Sequence, residues 1–228
     1  MSSPDLAPPL GRRDRNMQDK RRRIVQAATR LFEDRGYDGV TTHEVSEKAD
    51  IAVGTLFRYA ASKSELLLLV YNDKLREALA QGTTRAVGAD DPVEAIMEMV
   101  SPLLELGRIS SDNGAAYQRE LLFGAPTTPN RQEGLGVIAD LEAAIASRLA
   151  GAARAHGLAE HAEAGRLAAS TIFAATHLMI ARQYTGAHRG HAPETDLRGQ
   201  ITQVVRGYLA TLRLEPAGPT SKALLEQA

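Results

Sequence analysis

The chain of 228 residues contains no cysteine, which excludes disulfide bonds, thiolate metal ligands and cysteine nucleophiles together. It also lacks an apolar run of the roughly 18 residues that a membrane-spanning helix requires, and nothing near Met1 has the pattern of a signal peptide. Apolar residues still make up 43% of the sequence, enough for a large buried core. These features predict a soluble cytoplasmic protein with no membrane partner.

A strong net charge is absent as well, because the whole chain sums to −1. The charge is unevenly distributed, however. Residues 11–30 contain eight Arg or Lys and two Asp, a net charge of +6, which leaves −7 for all other positions. Such asymmetry is expected when one end of a chain meets a polyanion. The run KRRR at 20–23, with Arg12, Arg13 and Arg15, has two interpretations: it contacts phosphates or a minor groove, or it is a solvated charged tail.

No segment has the alternating pattern of a strand, and helical patterns recur along the chain, so the sequence predicts an all-α fold of about nine helices. The first helix covers 18–35 and ends at Gly36. A second begins at a capping box that starts with Thr41 and ends near Ala49. The remaining helices are predicted at 53–59, from a second capping box at Ser62 onward, and near 92–108, 112–123, 131–156, 161–184 and 196–213.

The second and third helices are short and separated by a tight turn, and the first helix lies before them. This arrangement is typical of a helix-turn-helix. Four apolar residues are predicted to form its inner core: Val45, Ala49, Ile51 and Leu56. The other residues of the third helix are predicted to face mostly outward: Ala52, Val53, Thr55, Phe57, Arg58 and Tyr59.

Residues 24–66 resemble the DNA-binding domain of the TetR family of bacterial repressors. The matching features are the first helix ending in Arg-Gly-Tyr, the Thr-Thr cap, the turn, the segment Gly-Thr-Leu-Phe-Arg-Tyr and the opening Ser-Lys-Ser-Glu-Leu. Asp50 stands where the family usually has glycine, Phe57 where tyrosine is common, and Ala60 where phenylalanine is common. The later helices agree with the family's ligand-binding and dimerisation domain in number and length.

The resemblance implies a role for each residue of this surface. Thr42 and Lys63 would hold phosphates, Lys63 with the help of amides at its helix N-terminus. Arg58 would bond a guanine edge in bidentate fashion, and Gly54 would permit close backbone approach. The major groove would be faced by Ala52, Val53, Thr55 and Arg58, while Phe57 and Tyr59 would flank the backbone and Tyr59 would bond a phosphate. The competing interpretation is a helical hairpin whose aromatic residues are only core.

The expected domains are a flexible basic tail at 1–16, the helix-turn-helix domain at 17–66, a ligand-binding and dimerisation domain at 67–214, and a C-terminal tail at 215–228. One short recognition helix reads few bases, so a dimer on a palindromic operator is expected. The predicted dimer residues are Ala168, Ile172, Ala175, Val204, Tyr208 and Leu212. The predicted walls of a ligand pocket, which are equally compatible with ordinary core, are Met99, Leu103, Tyr117, Phe123, Phe173, His177 and Tyr184.

No cofactor and no metal site are expected. His156 and His161 flank a helix break, and His188 and His191 lie in a glycine-rich loop without further ligands at metal-binding spacing. No nucleophile elbow, phosphate loop or dinucleotide fingerprint is present. The helix-turn-helix predicts binding to double-stranded operator DNA, and the resemblance to the TetR family implies a dimeric repressor that is released by a small, largely apolar ligand. An activator or ligand-independent regulator is the alternative, and a helical carrier or enzyme is a weaker one.

Overall fold

The computed structural model describes residues 11–109, 111–124, 128–185, 190 and 192–214. Over these residues the chain forms nine helices and no strand, which confirms the all-α prediction. Helices α5 to α9 begin and end within three residues of the positions that the sequence indicates, and α4 begins one residue after Ser62. The helices are α1 Arg12–Arg35, α2 Thr42–Lys48, α3 Val53–Leu56, α4 Lys63–Ala86, α5 Pro92–Ile109, α6 Ser111–Phe123, α7 Pro129–Ala155, α8 Ala162–Thr185 and α9 Pro193–Leu214.

The chain divides into two compact units that do not follow the chain order expected from the sequence. The N-terminal unit consists of Met1–Lys74 together with Asp112–Gly134, and the C-terminal unit consists of Leu75–Ser111 together with Leu135–Ala228. The segment that contains α6 and the start of α7 therefore belongs with the helix-turn-helix. The cause is a set of buried hydrogen bonds within the N-terminal unit, described below.

Helix α1 begins six residues earlier than the apolar pattern predicts. Its apolar face starts only at Ile24, but the exposed residues before it are mostly Arg, Lys, Gln and Met, which have high helix propensity. Residues 12–16 of the expected flexible tail are thus helical, while residues 1–10 and 215–228 lie outside the described part. Gly36 ends the helix with a φ of 70°, as the sequence predicts.

Local side-chain bonds fix helix α2 at both ends. At its start, the Glu44 amide donates to Thr41 Oγ1 over 3.3 Å, and the Thr41 amide donates to Glu44 Oε2 over 2.8 Å, the predicted capping box. At its end, Asp50 adopts a φ of 51°, the left-handed conformation expected for the turn. The Arg23 guanidinium of α1 bonds the Asp50 carboxylate over 3.2 Å and ties this turn to α1.

The capping box predicted at the start of α4 is only half formed. The Glu65 amide donates to Ser62 Oγ over 3.1 Å, as a cap requires. The Glu65 side chain does not return to the backbone of Ser62, because it points into the protein and accepts hydrogen bonds from Asn130. The sequence pattern is therefore right about where the helix begins and wrong about what its glutamate does.

The C-terminal unit is built around α8, α9 and α5. Ile172 and Met179 of α8 and Ile201 of α9 are fully buried in its core. Among the described residues, Ala162–Arg182 is long and apolar enough to cross a membrane by length and composition alone. This segment contains Glu163 and Arg166, so the prediction that the chain lacks an uninterrupted apolar run of about 18 residues still holds for it. One face of the helix, with Ile172 and Met179, belongs to the core.

Gly82 allows α4 and α5 to approach closely within the C-terminal unit. A Cβ added there would lie 2.3 Å from the Met99 carbonyl oxygen, and backbone cannot move aside cheaply. We expect Gly82→Ala to lower the free energy of unfolding by about 1–3 kcal/mol through overpacking. Gly136→Ala is the matched control, because a Cβ at this exposed helical position meets no atom within 4 Å. Urea unfolding of the two full-length variants measures the difference, and equal stabilities would contradict the close contact.

Candidate nucleic-acid interface

The two helices of the helix-turn-helix pack on a small core. Val45, Ala49 and Leu56 are buried as the sequence predicts, whereas Ile51 at the turn is only half-buried. Ala60 is also buried, at 2% exposure, and its amide donates to the Leu56 carbonyl. The alanine at this position is therefore a core residue.

Helix α3 is one α-helical turn, Val53–Leu56, and helical bonding continues beyond it. The amides of Phe57, Arg58 and Tyr59 donate to carbonyls three or four residues earlier. Of the predicted reading residues, Ala52, Gly54, Phe57 and Arg58 are exposed, and Val53, Thr55 and Tyr59 are half-buried. Phe57 exposes 46% of its surface, which excludes the interpretation that its ring is ordinary core. A Cβ at Gly54 would meet open space, so none of the described residues requires glycine there.

The two predicted phosphate ligands lie at helix starts. Thr42 is the half-buried first residue of α2, and Lys63 is the half-buried first residue of α4. The Lys63 ammonium donates to the Asp38 carbonyl over 3.2 Å and lies 4.5 Å from the centre of the Tyr37 ring. These contacts hold the ammonium in place and leave it further N–H donors, so its role toward phosphate stays a prediction.

Electrostatics hold the start of α2 rigidly. Hydrogen bonds from Thr41, followed by one from the Arg35 guanidinium, lower the pKa of Glu44 from 4.5 to about 2. Because the pKa is lowered in the folded chain, the stabilisation is present above pH 4.5 and is lost as the pH falls toward 2. The position of Thr42 is therefore insensitive to pH in the neutral range.

Tyr59 is held at both its ends, in a way that the sequence does not indicate. Its hydroxyl group donates to the Met17 carbonyl of α1 over 3.2 Å. Its own carbonyl accepts a hydrogen bond from Asn130 Nδ2 over 3.1 Å. The expected bond from the Tyr59 hydroxyl to a phosphate remains a prediction, and in this structure that hydroxyl positions the first turns of α1.

Asn130 is the centre of a buried polar network that the sequence analysis missed. Its side-chain nitrogen donates to Glu65 Oε2 over 2.8 Å, and its backbone amide donates to the same oxygen over 3.4 Å. Its carbonyl accepts from Asn72 Nδ2 over 2.6 Å, and the Tyr117 hydroxyl completes the chain by donating to Asn72 Oδ1 over 3.0 Å. Glu65, Asn72 and Asn130 are at most 6% exposed.

The network depends on a close approach between α7 and α4. A Cβ at Gly134 would lie 2.6 Å from Asn72 Oδ1 and 2.7 Å from Leu121 Cδ1, so only glycine fits without displacement. A second buried asparagine, Asn113 of α6, donates to the Phe32 carbonyl at the end of α1 over 2.8 Å. These bonds join α6 and the first turns of α7 to the helices that present α3.

The predicted pocket residues are divided between the two units. Tyr117 is buried in the N-terminal unit and stacks on Tyr71 at 5.4 Å, while Phe123 exposes 81% of its surface and lines no enclosed space. In the C-terminal unit, Met99 and Leu103 are core residues. The rest of the predicted set lies there too: Phe173 stacks on half-buried His177 at 5.9 Å, burial lowers the pKa of His177, and Tyr184 donates to the Gly107 carbonyl over 2.9 Å.

Most of the predicted dimer residues are buried within a single chain. Ala168, Ile172, Tyr208 and Leu212 are at most 9% exposed, and Ala175 and Val204 are half-buried. The sequence correctly marks α8 and α9 as apolar helices, but the residues that it selects pack on the chain's own core. The role of these residues in a dimer stays a prediction.

The described histidines have structural partners. His161 Nδ1 accepts from the Ala164 amide and caps α8, and His156 Nδ1 lies 2.8 Å from the Ala152 carbonyl. His188 and His191 lie outside the described residues. Within the described ranges, no group of three His, Asp or Glu is arranged to hold a metal ion.

Comparison with known proteins identifies relatives of this surface. Residues 24–70 match the family model described as bacterial regulatory proteins, tetR family. The transcriptional repressor KstR from Mycolicibacterium smegmatis is 27% identical over 123 residues, which are 54% of this chain and 60% of KstR. The chain spans 60% or less of the length of the first curated relatives it matches.

Solved structures share the fold. A TetR transcriptional regulator from Rhodococcus sp. RHA1 superposes with a TM-score of 0.62 at 19% identity, covering 83% of this chain and 97% of the other. The regulator FadR from Bacillus subtilis superposes with a TM-score of 0.58 at 16% identity and the same coverages. At these identities the likeness concerns the helical architecture alone.

We expect Asn130→Ala to lower the free energy of unfolding by about 2–4 kcal/mol, because it removes the side-chain donor 2.8 Å from the buried Glu65 carboxyl group and leaves only the backbone amide, 3.4 Å away. Gln132→Ala, at an exposed position of the same helix turn, should change stability by less than about 0.5 kcal/mol. In a Glu65→Leu background the cost of Asn130→Ala should fall, since the acceptor is gone. Urea unfolding of the four variants measures the coupling, and additive effects would show that the two residues do not depend on each other.

Proposed function

Because the chain belongs to the TetR family of bacterial regulatory proteins, we propose that it is a dimeric repressor that binds a palindromic DNA operator and is released by a small, largely apolar ligand. The observation that carries the DNA part is the exposed recognition helix, whose Arg58 has no ion-pair partner among the described residues. It acts in the bacterial cytoplasm, at the nucleoid. In this proposal residues 17–66 bind DNA and residues 67–214 sense ligand and dimerise.

The recognition surface has the chemistry that operator binding requires. Arg58 and Thr55 offer donors for base edges, and exposed Ala52 and Gly54 let the helix backbone lie close to the groove. Thr42 and Lys63, at the starts of two helices, are placed to hold the flanking phosphates. Such contacts on a single half-site read few base pairs, so specificity requires a second copy.

The exposed face of α8 supports dimerisation. Leu167, Thr171, Ala174 and Leu178 follow one another at helical spacing and are all exposed. The two leucines expose 52% and 49% of their surface, which leaves apolar side chains in water on a helix whose other face is buried in the core. Burying these side chains against a second copy removes the apolar surface from water.

Helix α9 offers a second surface suited to close helix contact. Gly199 and Gly207 lie in its interior and are exposed, and a Cβ at either would meet no atom within 4 Å. Glycine inside an exposed helix costs about 1 kcal/mol relative to alanine. No contact with the described residues compensates this cost, whereas the close approach of a partner helix would.

The ligand part of the proposal is supported by the C-terminal unit. Met97, Met99 and Met179 line its core beside half-buried Phe173 and His177, and methionine side chains adapt readily to an apolar guest. FadR, which shares this fold, was solved in complex with stearoyl-CoA. A ligand releases the protein from DNA only if it binds the non-binding state of the dimer more tightly. A reporter fusion to the regulated promoter distinguishes a repressor from an activator by sign.

We expect Arg58→Ala and Lys63→Ala each to weaken operator binding, Arg58→Ala by about 1–3 kcal/mol with relaxed preference at one base position. Lys63→Ala should weaken binding equally on all sequences, because phosphate contacts carry no base information. Sequences selected from a random DNA pool supply the operator, and shift assays measure the affinities. Arg213→Ala, which removes an exposed cation from the end of α9, is the control. If both test variants bind like the wild type, the assigned reading surface is wrong.

We expect Leu178→Glu to convert the dimer into a monomer, because it places a charge in the α8 face. Val87→Glu is the matched control: Val87 exposes 80% of its surface but lies in the connection between α4 and α5 and is not part of α8. Sedimentation equilibrium of the two full-length variants gives the oligomeric state. A dimeric Leu178→Glu variant would exclude α8 as the interface.

A further inference from the structure

We propose that the cleft between the first turns of α1 and the recognition helix is a binding site for one sugar–phosphate strand of duplex DNA. This inference rests on the proposed DNA-binding function and adds a second contact element to it. The recognition helix would lie on the major-groove side of that strand, and the basic start of α1 would grip the strand from its other side. The helical start of α1, residues 12–20, is called the arm below.

The cleft has the size and lining that a strand requires. Its volume is about 600 Å³. The arm contributes Arg12, Arg13 and Lys20, and α3 with the turn after it contributes Thr55, Arg58 and Tyr59. No Asp or Glu lines it, so four cations face the same space without a carboxylate among them.

The cations of the cleft differ from the three arginines that directly follow the arm in α1, because, in the described part of the chain, only the latter form ion pairs. Arg21 pairs with Asp73, Arg22 with Asp19, and Arg23 with Asp50. Among the described residues, none of the cations in the cleft has such a pair. The three arginines that directly follow the arm are thus paired within the protein, whereas the cations of the cleft keep their charge for a polyanion.

Tyr59 positions the arm. Among the described residues, the hydrogen bond from its hydroxyl group to the Met17 carbonyl is the one that joins residues 12–19 to a residue that follows α1. Asn130 holds the backbone of Tyr59 from the opposite direction. Every residue of the arm is exposed, so apolar packing does not fix its direction. A tyrosine anchored in the buried network therefore sets the width of the cleft.

Duplex DNA suits this cleft better than a small anion. Arg58 and Thr55 already belong to the surface assigned to base edges, and the strand that borders the major groove passes beside any helix lying in it. Phosphates follow one another every 3.4 Å of helix rise along one strand, so several cations spread along a cleft match several phosphates. The cations of the arm are distributed over about two helical turns, a length greater than the diameter of a single phosphate ion.

The test compares salt dependence of operator binding for full-length variants. Each phosphate contact contributes about −0.9 to the slope of log K against log salt, so Arg12→Ala with Arg13→Ala should make the slope shallower by about 2 and leave base preference unchanged. Arg15→Ala with Arg22→Ala is the matched control, because it removes the same charge from α1 residues outside the cleft. The control pair should change the slope by less than half as much.

Tyr59→Phe keeps the ring and all cations but removes the bond to Met17. Tyr59→Phe should also make the slope of log K against log salt shallower. Combining it with the double variant Arg12→Ala with Arg13→Ala, the arm pair, should add nothing further, since both changes act through the arm. A wild-type slope in both the arm pair and Tyr59→Phe would contradict the proposed strand-binding cleft, while the proposed function would stand. A wild-type chain that selects no duplex sequence at all would overturn the proposed function itself.

Discussion

The reading surface depends on a buried carboxyl group that needs hydrogen-bond donors. Glu65 lies at the start of α4, directly after the recognition segment, and its side chain is 3% exposed. Asn130 supplies two donors to it, and with the same amide group holds the carbonyl at the end of the recognition segment. A buried polar group without partners costs several kcal/mol, so the N-terminal unit is stable only when α7 begins at this place. The position of α3 follows from that constraint.

Much of the fold is predictable because local interactions determine it. The capping box at Thr41, the left-handed turn at Asp50 and the stop at Gly36 each involve residues within four positions of one another. Apolar spacing likewise places Val45 and Leu56 in the core. These features depend on backbone geometry and side-chain period, which a single sequence displays directly.

The remaining features depend on partners that are distant in sequence. Asn130 bonds Glu65, which lies 65 positions earlier in the chain, and Tyr59, which lies 71 positions earlier. Nothing in the sequence next to Asn130 indicates a buried role. The same limit applies to the second unit. Ile172 and Leu178 are both apolar residues of α8, and only the packing of α5 and α9 decides that the first is buried and the second exposed. Periodicity identifies an apolar helix but not which side its neighbours occupy.

The double attachment of Tyr59 has a consequence for how the chain acquires its structure. Its side chain is bonded to a residue made 42 positions before it, and its carbonyl to one made 71 positions after it. During synthesis, the first 74 residues emerge from the ribosome with the Glu65 carboxyl group still lacking Asn130. The N-terminal unit is thus completed only after α7 has begun to emerge. An isolated fragment ending at Lys74 would carry every base-reading residue and yet lack the segment that holds them in place.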